Sequence, residues 1–176
     1  LVAATARANA EVIRTAQGSG KRGMGATLTA VHLRGDVAHV AQVGDSRAYL
    51  LRSGRLQQVT RDQSLVQLLV DQGALSPEAA RTSSRKNVLL QAIGTSDEVE
   101  VAIGRLKLRR GDRFLLCCDG LSNALTDEEL RDLVAANDPD AACRKLIDLA
   151  NERGGADNLT AIVAAIDAGE LEEPAG

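Results

Sequence analysis

The stretch Phe114-Leu115-Leu116-Cys117-Cys118 carries no charged or strongly polar side chain and is followed at once by Asp119-Gly120. An apolar run this short reads as a strand buried on both faces, so it belongs at the centre of a sheet with structure packed above and below it. The acidic residue then stands where the strand leaves the core, held at a rigid edge. A second one, Asp157 in Gly154-Gly155-Ala156-Asp157-Asn158, precedes another apolar run over 159–166 and so marks the mouth of a second strand. Two carboxylates on the ends of core strands are the oxygen donors that a hard cation such as magnesium or manganese prefers. The same Asp-Gly and Gly-Gly steps also serve as plain turns, where these residues are favoured for backbone reasons. Both readings stand at this point.

At 176 residues one domain is expected, long enough to bury a substantial core. With one Phe, one Tyr and no Trp, that core must be built from Leu, Val, Ile and Ala. A net charge of −3 without a basic block gives no nucleic-acid footprint, and no aromatic platform exists on which bases could stack. The adjacent Cys117 and Cys118 and the distant Cys143 read as small buried hydrophobes, not a disulfide framework, which points to a reducing compartment. No apolar run approaches the length of a membrane span, and no signal peptide is visible. The chain opens on Leu1 inside an apparent helix, so upstream residues are expected to be missing.

Along the chain, residues 1–17 have Val2, Ala6, Val12 and Ile13 spaced for one helical face, and Gly18-Ser19-Gly20 breaks the pattern. The segments 26–33, 37–43, 48–51 and 55–59 read as strands joined by tight turns at Arg34-Gly35-Asp36, Gly44-Asp45-Ser46-Arg47 and Ser53-Gly54, which makes a β-meander. The period then changes. Leu65, Val66, Leu68, Leu69 and Val70 fit a helix stopped by Gly73, and Ser76-Pro77 starts a second short one. This insert, about 60–94, has no strong core pattern of its own, as a flap over a site or an ordinary helical connection would. Strand signals resume with Val99, Val101 and Ile103. After the central run, Thr126 and Glu129 form a capping box, and Asp138-Pro139 begins a helix with Cys143, Leu146, Ile147 and Ala150 on its buried face. Residues 168–176 read as an acidic tail. The fold class is α+β, with sheets supplying the core and helices covering them.

Five segments resemble, in order and spacing, the bacterial branch of the metal-dependent protein serine/threonine phosphatases of type 2C. They are Gly23-Met24-Gly25-Ala26-Thr27-Leu28, Val43-Gly44-Asp45-Ser46-Arg47-Ala48-Tyr49, Thr60-Arg61-Asp62-Gln63-Ser64-Leu65-Val66, Cys118-Asp119-Gly120-Leu121-Ser122 and Gly154-Gly155-Ala156-Asp157-Asn158-Leu159-Thr160. The resemblance implies a catalytic domain over 1–167: a four-layer α-β-β-α sandwich of two antiparallel sheets flanked by helices, with a helical flap at about 60–94. It implies a two-metal Mn2+ or Mg2+ centre with Asp119 and Asp157 as ligands, and a third, weaker ion held by Asp45 with Asp119. The activity implied is hydrolysis of phosphoserine and phosphothreonine in proteins by a metal-bridging water, reversing serine/threonine kinase signalling in a bacterial cytoplasm. Clustered carboxylates agree with that chemistry, since a metal pair lowers the pKa of water and screens phosphoryl oxygens. No protein nucleophile is needed, so Cys117 and Cys118 are expected to be inert.

Around those ligands, Gly44 and Gly120 read as backbone requirements of the turns that present the aspartates. Asn158 is placed to brace Asp157. Arg47 either orients Asp45 by a charge-assisted hydrogen bond or is a solvated turn-edge arginine. Asn123 occupies a position where some family members have Asp, so the third ion should be held more weakly. His32 and His39 are assigned to surface or packing.

The family's acidic first strands, its Asp-Gly-x-Gly-Gly segment, whose Asp bridges both metals, and its phosphate-contacting arginine have no counterpart in the sequence, so the N-terminal strands are expected to be absent and the chain alone inactive. Two alternatives from other classes remain: a pseudo-phosphatase kept as a binding module, and a stress-response phosphatase of the sporulation type acting on a regulator protein. The partners implied are phosphorylated proteins, among them a serine/threonine kinase.

Overall fold

The computed structural model of the chain describes residues 1–21 and 23–167, so the acidic tail at 168–176 lies outside the described residues. In order, the elements are α1 (Val2–Gly18), β1 (Leu28–Arg34), β2 (Val37–Val43), β3 (Arg47–Arg52), β4 (Arg55–Gln58), α2 (Leu65–Asp71), α3 (Pro77–Thr82), β5 (Ala102–Lys107), β6 (Arg113–Cys117), α4 (Asp119–Ala124), α5 (Asp127–Ala136), α6 (Pro139–Glu152) and β7 (Ala161–Ala165). They divide into two compact units. One, here the sheet unit, contains residues 30–40, 47–60 and the described residues from 104 onward; the other, the helical unit, contains residues 1–29 without 22, 41–46 and 61–103.

The strands form two antiparallel sheets, ordered β1-β2-β5 and β4-β3-β6-β7. The meander expected from the sequence is therefore two hairpins in different sheets. Tight turns dictate which neighbours pair locally, but the crossing at 44–46 decides sheet membership, and nothing in the turn residues signals it. Residues 114–117 of the run lie in β6, and Cys118 falls just beyond it as the N-cap of α4. Strand β6 is flanked by β3 on one side and β7 on the other. Its side chains alternate between two cores. Leu115 and Cys117 point with Tyr49 and Leu51 into a cluster completed by Leu121 and Leu125 near α4, Leu130 and Val134 of α5, and Leu146 and Ala150 of α6. Phe114 points the other way, packing with Leu50, Ala38, Leu108 and Ile166, and with Val31 and Leu106 of the three-stranded sheet. Helix, sheet and sheet are thus layered within this one unit.

Its helices start where the sequence says they should. The Thr126 hydroxyl accepts from Glu129 N while the Glu129 carboxylate accepts from Thr126 N at 2.9 Å. The Asp138 carboxylate accepts from Ala141 N at 2.8 Å ahead of Pro139. On α6 the fully buried stripe is Ala142, Leu146 and Ala150, with the expected Cys143 and Ile147 only half-buried beside it. Helix α4 has no helical pattern in the sequence; it is one short turn and a half that directly continues the central strand. The fifth strand begins at Ala102, so Val99 and Val101 precede it.

In the helical unit, α1 buries Thr5, Asn9 and Ala16, whereas Val2 and Ala6 are exposed. The apolar spacing marks a different face because the buried one is polar at its centre. The Asn9 carboxamide donates to Ser96 O at 2.9 Å and Asp97 O at 3.2 Å and accepts from Gly94 N at 2.7 Å, so a buried amide with full hydrogen bonding replaces an apolar anchor. Helices α2 and α3 are capped by Ser64 and Ser76, and neither buries a residue.

Leu115 has no exposure and Ile162, on the neighbouring strand, is 56% exposed. Leu115→Ala is expected to cost about 3 kcal/mol and Ile162→Ala less than about 1 kcal/mol, read from urea unfolding midpoints. A second prediction concerns acid stability. The Arg153 guanidinium, helped by Thr126 N–H, holds the Glu129 carboxyl at about 2, below its usual 4.5. A depressed folded-state value gives stability that is complete above the unfolded value and lost as pH falls through the folded one. The stability difference between the parent chain and Glu129→Gln should therefore be full above about pH 4.5 and shrink toward pH 2, in thermal melts across that window.

Candidate metal centre

In the sheet unit, Cys117 of β6 pairs with Ala161 of β7, so the two strands leave the sheet side by side. The segments beyond them, Cys118-Asp119-Gly120 and Asp157-Asn158-Leu159-Thr160, run against each other. Cys118 N donates to Thr160 O at 3.4 Å, its thiol donates to Asn158 O at 3.2 Å, and its sulfur accepts from Thr160 N at 3.2 Å. Cys118 is thus half-buried and engaged with the Asp157 segment, where its apolar surroundings implied full burial in the strand. Cys117 is buried as expected. Gly120 permits the closest approach: a Cβ there would fall 2.4 Å from Asn158 O and 3.3 Å from the Asp157 Cβ. Its requirement is space between two loops, not an unusual turn conformation.

This contact brings together the two segments that carry Asp119 and Asp157. Asp119 opens α4, half-buried, with Oδ1 accepting from Gly120 N at 2.9 Å. Asp157 is exposed, with Oδ1 accepting from Asn158 N at 2.7 Å. Asn158 supports Asp157 through its main chain: its N–H holds the carboxylate and its carbonyl holds Cys118. Asn123 lies one helical turn beyond Asp119 on the same face of α4, exposed.

Asp45 belongs to the helical unit, in a turn fixed by Gln42, which no motif includes, and by Gln63, which lies in one of the five segments but has no role assigned there. Gly44 has φ +97°, and a Cβ there would meet Thr27 Cγ2 at 2.5 Å, so both conformation and space demand glycine. Gln63 accepts from Gly44 N at 2.7 Å through its side chain and donates its own N–H to Gly44 O at 2.9 Å. The buried Gln42 donates to Gly44 O at 3.1 Å and Ser46 O at 3.2 Å, and accepts from Arg61 N. A polar residue near the end of strand 37–43, between Ala41 and Val43, was the available signal for Gln42. In the sheet unit, Arg47 donates from Nη1 to Tyr49 Oη at 3.2 Å, and burial pushes the Tyr49 phenol up.

The Asp119–Asp157 pair matches a hard cation in donor type. It falls short in number: among the described residues no group of three or more His, Cys, Asp or Glu side chains is placed to hold a metal ion. Likewise, among the described residues no helix is long and apolar enough to cross a membrane.

Comparison with known proteins fits this architecture. The pattern of the protein phosphatase 2C family matches residues 1–164. The chain is 42% identical over 142 residues to the serine/threonine protein phosphatase PstP of Mycobacterium tuberculosis, covering 81% of the chain and 27% of PstP. It is 36% identical over 165 residues to the protein phosphatase PhpP of Streptococcus pneumoniae, covering 93% of the chain and 67% of PhpP. A crystal structure of the PstP catalytic domain in complex with two manganese ions superposes with a TM-score of 0.83 at 37% identity, over 91% of the chain and 67% of that structure. The chain belongs to the protein phosphatase 2C family, and it spans about a quarter of the length of PstP.

The loop contact makes a direct test. Gly120→Ala forces Asn158 O to move and should destabilise the chain by about 1–3 kcal/mol, while Cys118→Ala, which deletes two weak hydrogen bonds, should cost about 1 kcal/mol. Urea unfolding with tyrosine fluorescence or circular dichroism as the signal gives both values.

Proposed function

We propose that the protein to which this chain belongs hydrolyses phosphoserine and phosphothreonine in proteins, with Mn2+ or Mg2+ held in part by Asp119 and Asp157. The observation that carries this is the contact of the two aspartate segments at the ends of β6 and β7, in a chain of the protein phosphatase 2C family. PstP, a relative, binds two manganese ions in its crystal structure. When bound, such ions supply an acidified water and screen phosphoryl charge. The chain's own residues position: Gly120 lets the loops meet, Cys118 clips them together, and the main-chain N–H groups of Gly120 and Asn158 turn each carboxylate to one orientation. We assign to Asp45 the support of a weaker third ion with Asp119, and to Asn123 a neutral place in that support that lowers its affinity. The segment 60–94 is assigned as a flap, supported by α2 and α3 burying no residue. The physiological setting inferred is the cytoplasm of a bacterium, opposing a serine/threonine kinase.

By itself the chain is inferred to be inactive, because two adjacent carboxylates bind a hard cation poorly and a further bridging carboxylate is required. The shortage of ligands among the described residues equally favours a second reading, a pseudo-phosphatase that binds phosphoproteins without hydrolysis.

Phosphate release from a phosphothreonine peptide under manganese titration separates these. Turnover should be absent for the chain as it stands and present once an upstream Asp-Gly-x-Gly-Gly segment is supplied. Asp119→Asn should then lower it at least ~100-fold, since even residues that only support ligands are worth 10–100-fold. Manganese-dependent turnover by the chain alone sinks the inactivity claim. No turnover in either form, with protein shown folded, favours the binding module.

A further inference from the structure

Away from the aspartates, the sheet unit has a cavity of about 360 Å3 between the β3–β4 turn and the β5–β6 turn. Arg52, Arg109, Arg110 and Arg113 line it, with Asp112 as the acidic residue in the lining. In a chain of net charge −3, four arginines against one aspartate in a single lining are a local reversal of sign.

The neutralisation is uneven. Asp112 is 1% exposed and fully engaged: it takes Arg52 Nε at 2.7 Å and Nη2 at 2.6 Å in a two-pronged pair, and Arg109 N at 2.8 Å. Its charge is therefore spent on Arg52. Arg113 is half-buried and anchored through Nη1 to Val134 O and Asn137 O, both at 2.6 Å, which fixes its guanidinium without cancelling its charge. Arg109 and Arg110 are exposed at the rim, and among the described residues no carboxylate lies within ion-pair distance of Arg109, Arg110 or Arg113. The wall opposite is the Ser53-Gly54 turn, where φ of +48° and +75° close the two-residue hairpin between β3 and β4 and fix the position of that wall.

We propose that this cavity binds the phosphoryl group of a phosphorylated peptide, at a site separate from Asp119 and Asp157. A planar, permanently charged fork pairs with phosphate oxygens two at a time, and that of Arg113 is already held in place by Val134 O and Asn137 O. The volume exceeds what a free phosphate fills and leaves room for the side chain and flanking backbone. Nucleic acid is disfavoured because the chain's Tyr49 and Phe114 are buried and cannot stack on bases. A peptide partner rests on the phosphatase reading above; the anion chemistry does not.

The test measures binding of a fluorescein-labelled phosphothreonine peptide to the chain by anisotropy, in EDTA so that no metal contributes. The phosphopeptide should bind and its unphosphorylated form at least ~10-fold more weakly, with inorganic phosphate competing. Arg109→Gln/Arg110→Gln, confined to the exposed rim, should weaken binding about tenfold or more and flatten its salt dependence, with an unchanged melting temperature. Because the measurement is made without metal, a failed phosphatase assay leaves this result readable. Equal affinity in the Arg109/Arg110 variant, or equal binding of the unphosphorylated peptide, overturns the proposal. Tighter binding to phosphatidylglycerol vesicles or to a uridine oligonucleotide overturns the peptide assignment.

Discussion

The sheet unit depends on the burial of β6 on both faces. Leu115 and Cys117 complete the helix-side core, Phe114 completes the core between the sheets, and neither core closes without the strand. Two-sided burial has a second consequence. In a half-exposed strand the alternation of apolar and polar residues sets the register, because a slip by one residue would turn the apolar set to water. Here a slip would exchange Phe114 for Leu115 and remain apolar on both sides. The ends must therefore hold the register seen from Arg47↔Cys117 to Leu51↔Arg113 and from Arg113↔Ala165 to Cys117↔Ala161. Asp112, locked to Arg52 and Arg109 N, pins one end, and Cys118, joined to Asn158 and Thr160, pins the other.

These pins explain what could and could not be read from the chain. The run at 114–118 announced a central strand, the Thr126–Glu129 box and the Asp138-Pro139 step announced helix starts, and Asp119 and Asp157 could be placed at strand ends. All of these are local signals, carried within a few residues of where they act. The structure's polar anchors are not local. Asn9 is held by carbonyls near residue 96, Gln42 by a turn and by Arg61, and Asp112 by an arginine sixty residues earlier. A polar residue inside an apolar pattern weakens a periodicity signal, so these positions lowered the clarity of the very elements they fix. The misjudged face of α1 is the clearest case. The sheet assignment of the two hairpins failed for the same reason: it is decided by which core each pair fills, and the residues of the turns are indifferent to that.

Among the described residues, no buried side-chain nitrogen or oxygen lacks a hydrogen-bond partner. That completeness matters because an unpaired buried polar group costs about 1–3 kcal/mol, as much as an apolar side chain gains by burial. With one Phe, one Tyr and no Trp, the chain has few large side chains with which to absorb such a cost. Fully paired amides and carboxylates thus specify register and turn geometry without drawing on the aliphatic core.

The two ends of β6 also carry opposite charge, aspartates beyond Cys117 and arginines around Arg113. Four steps of strand separate Arg113 from Cys117, roughly 13 Å at about 3.3 Å per residue. That exceeds the Debye length of about 8 Å at physiological salt, so the ends do not neutralise each other, and each presents its own field to solvent. Because the strand between them is packed on both faces, the spacing is rigid. A ligand reaching from one end to the other must span at least that distance, about four extended residues, and would meet carboxylates at one end and guanidinium groups at the other. Bound cations would reverse the sign of the aspartate end alone. An anionic peptide would then be attracted at both ends, whereas without cations it is attracted at the arginine end and repelled at the other.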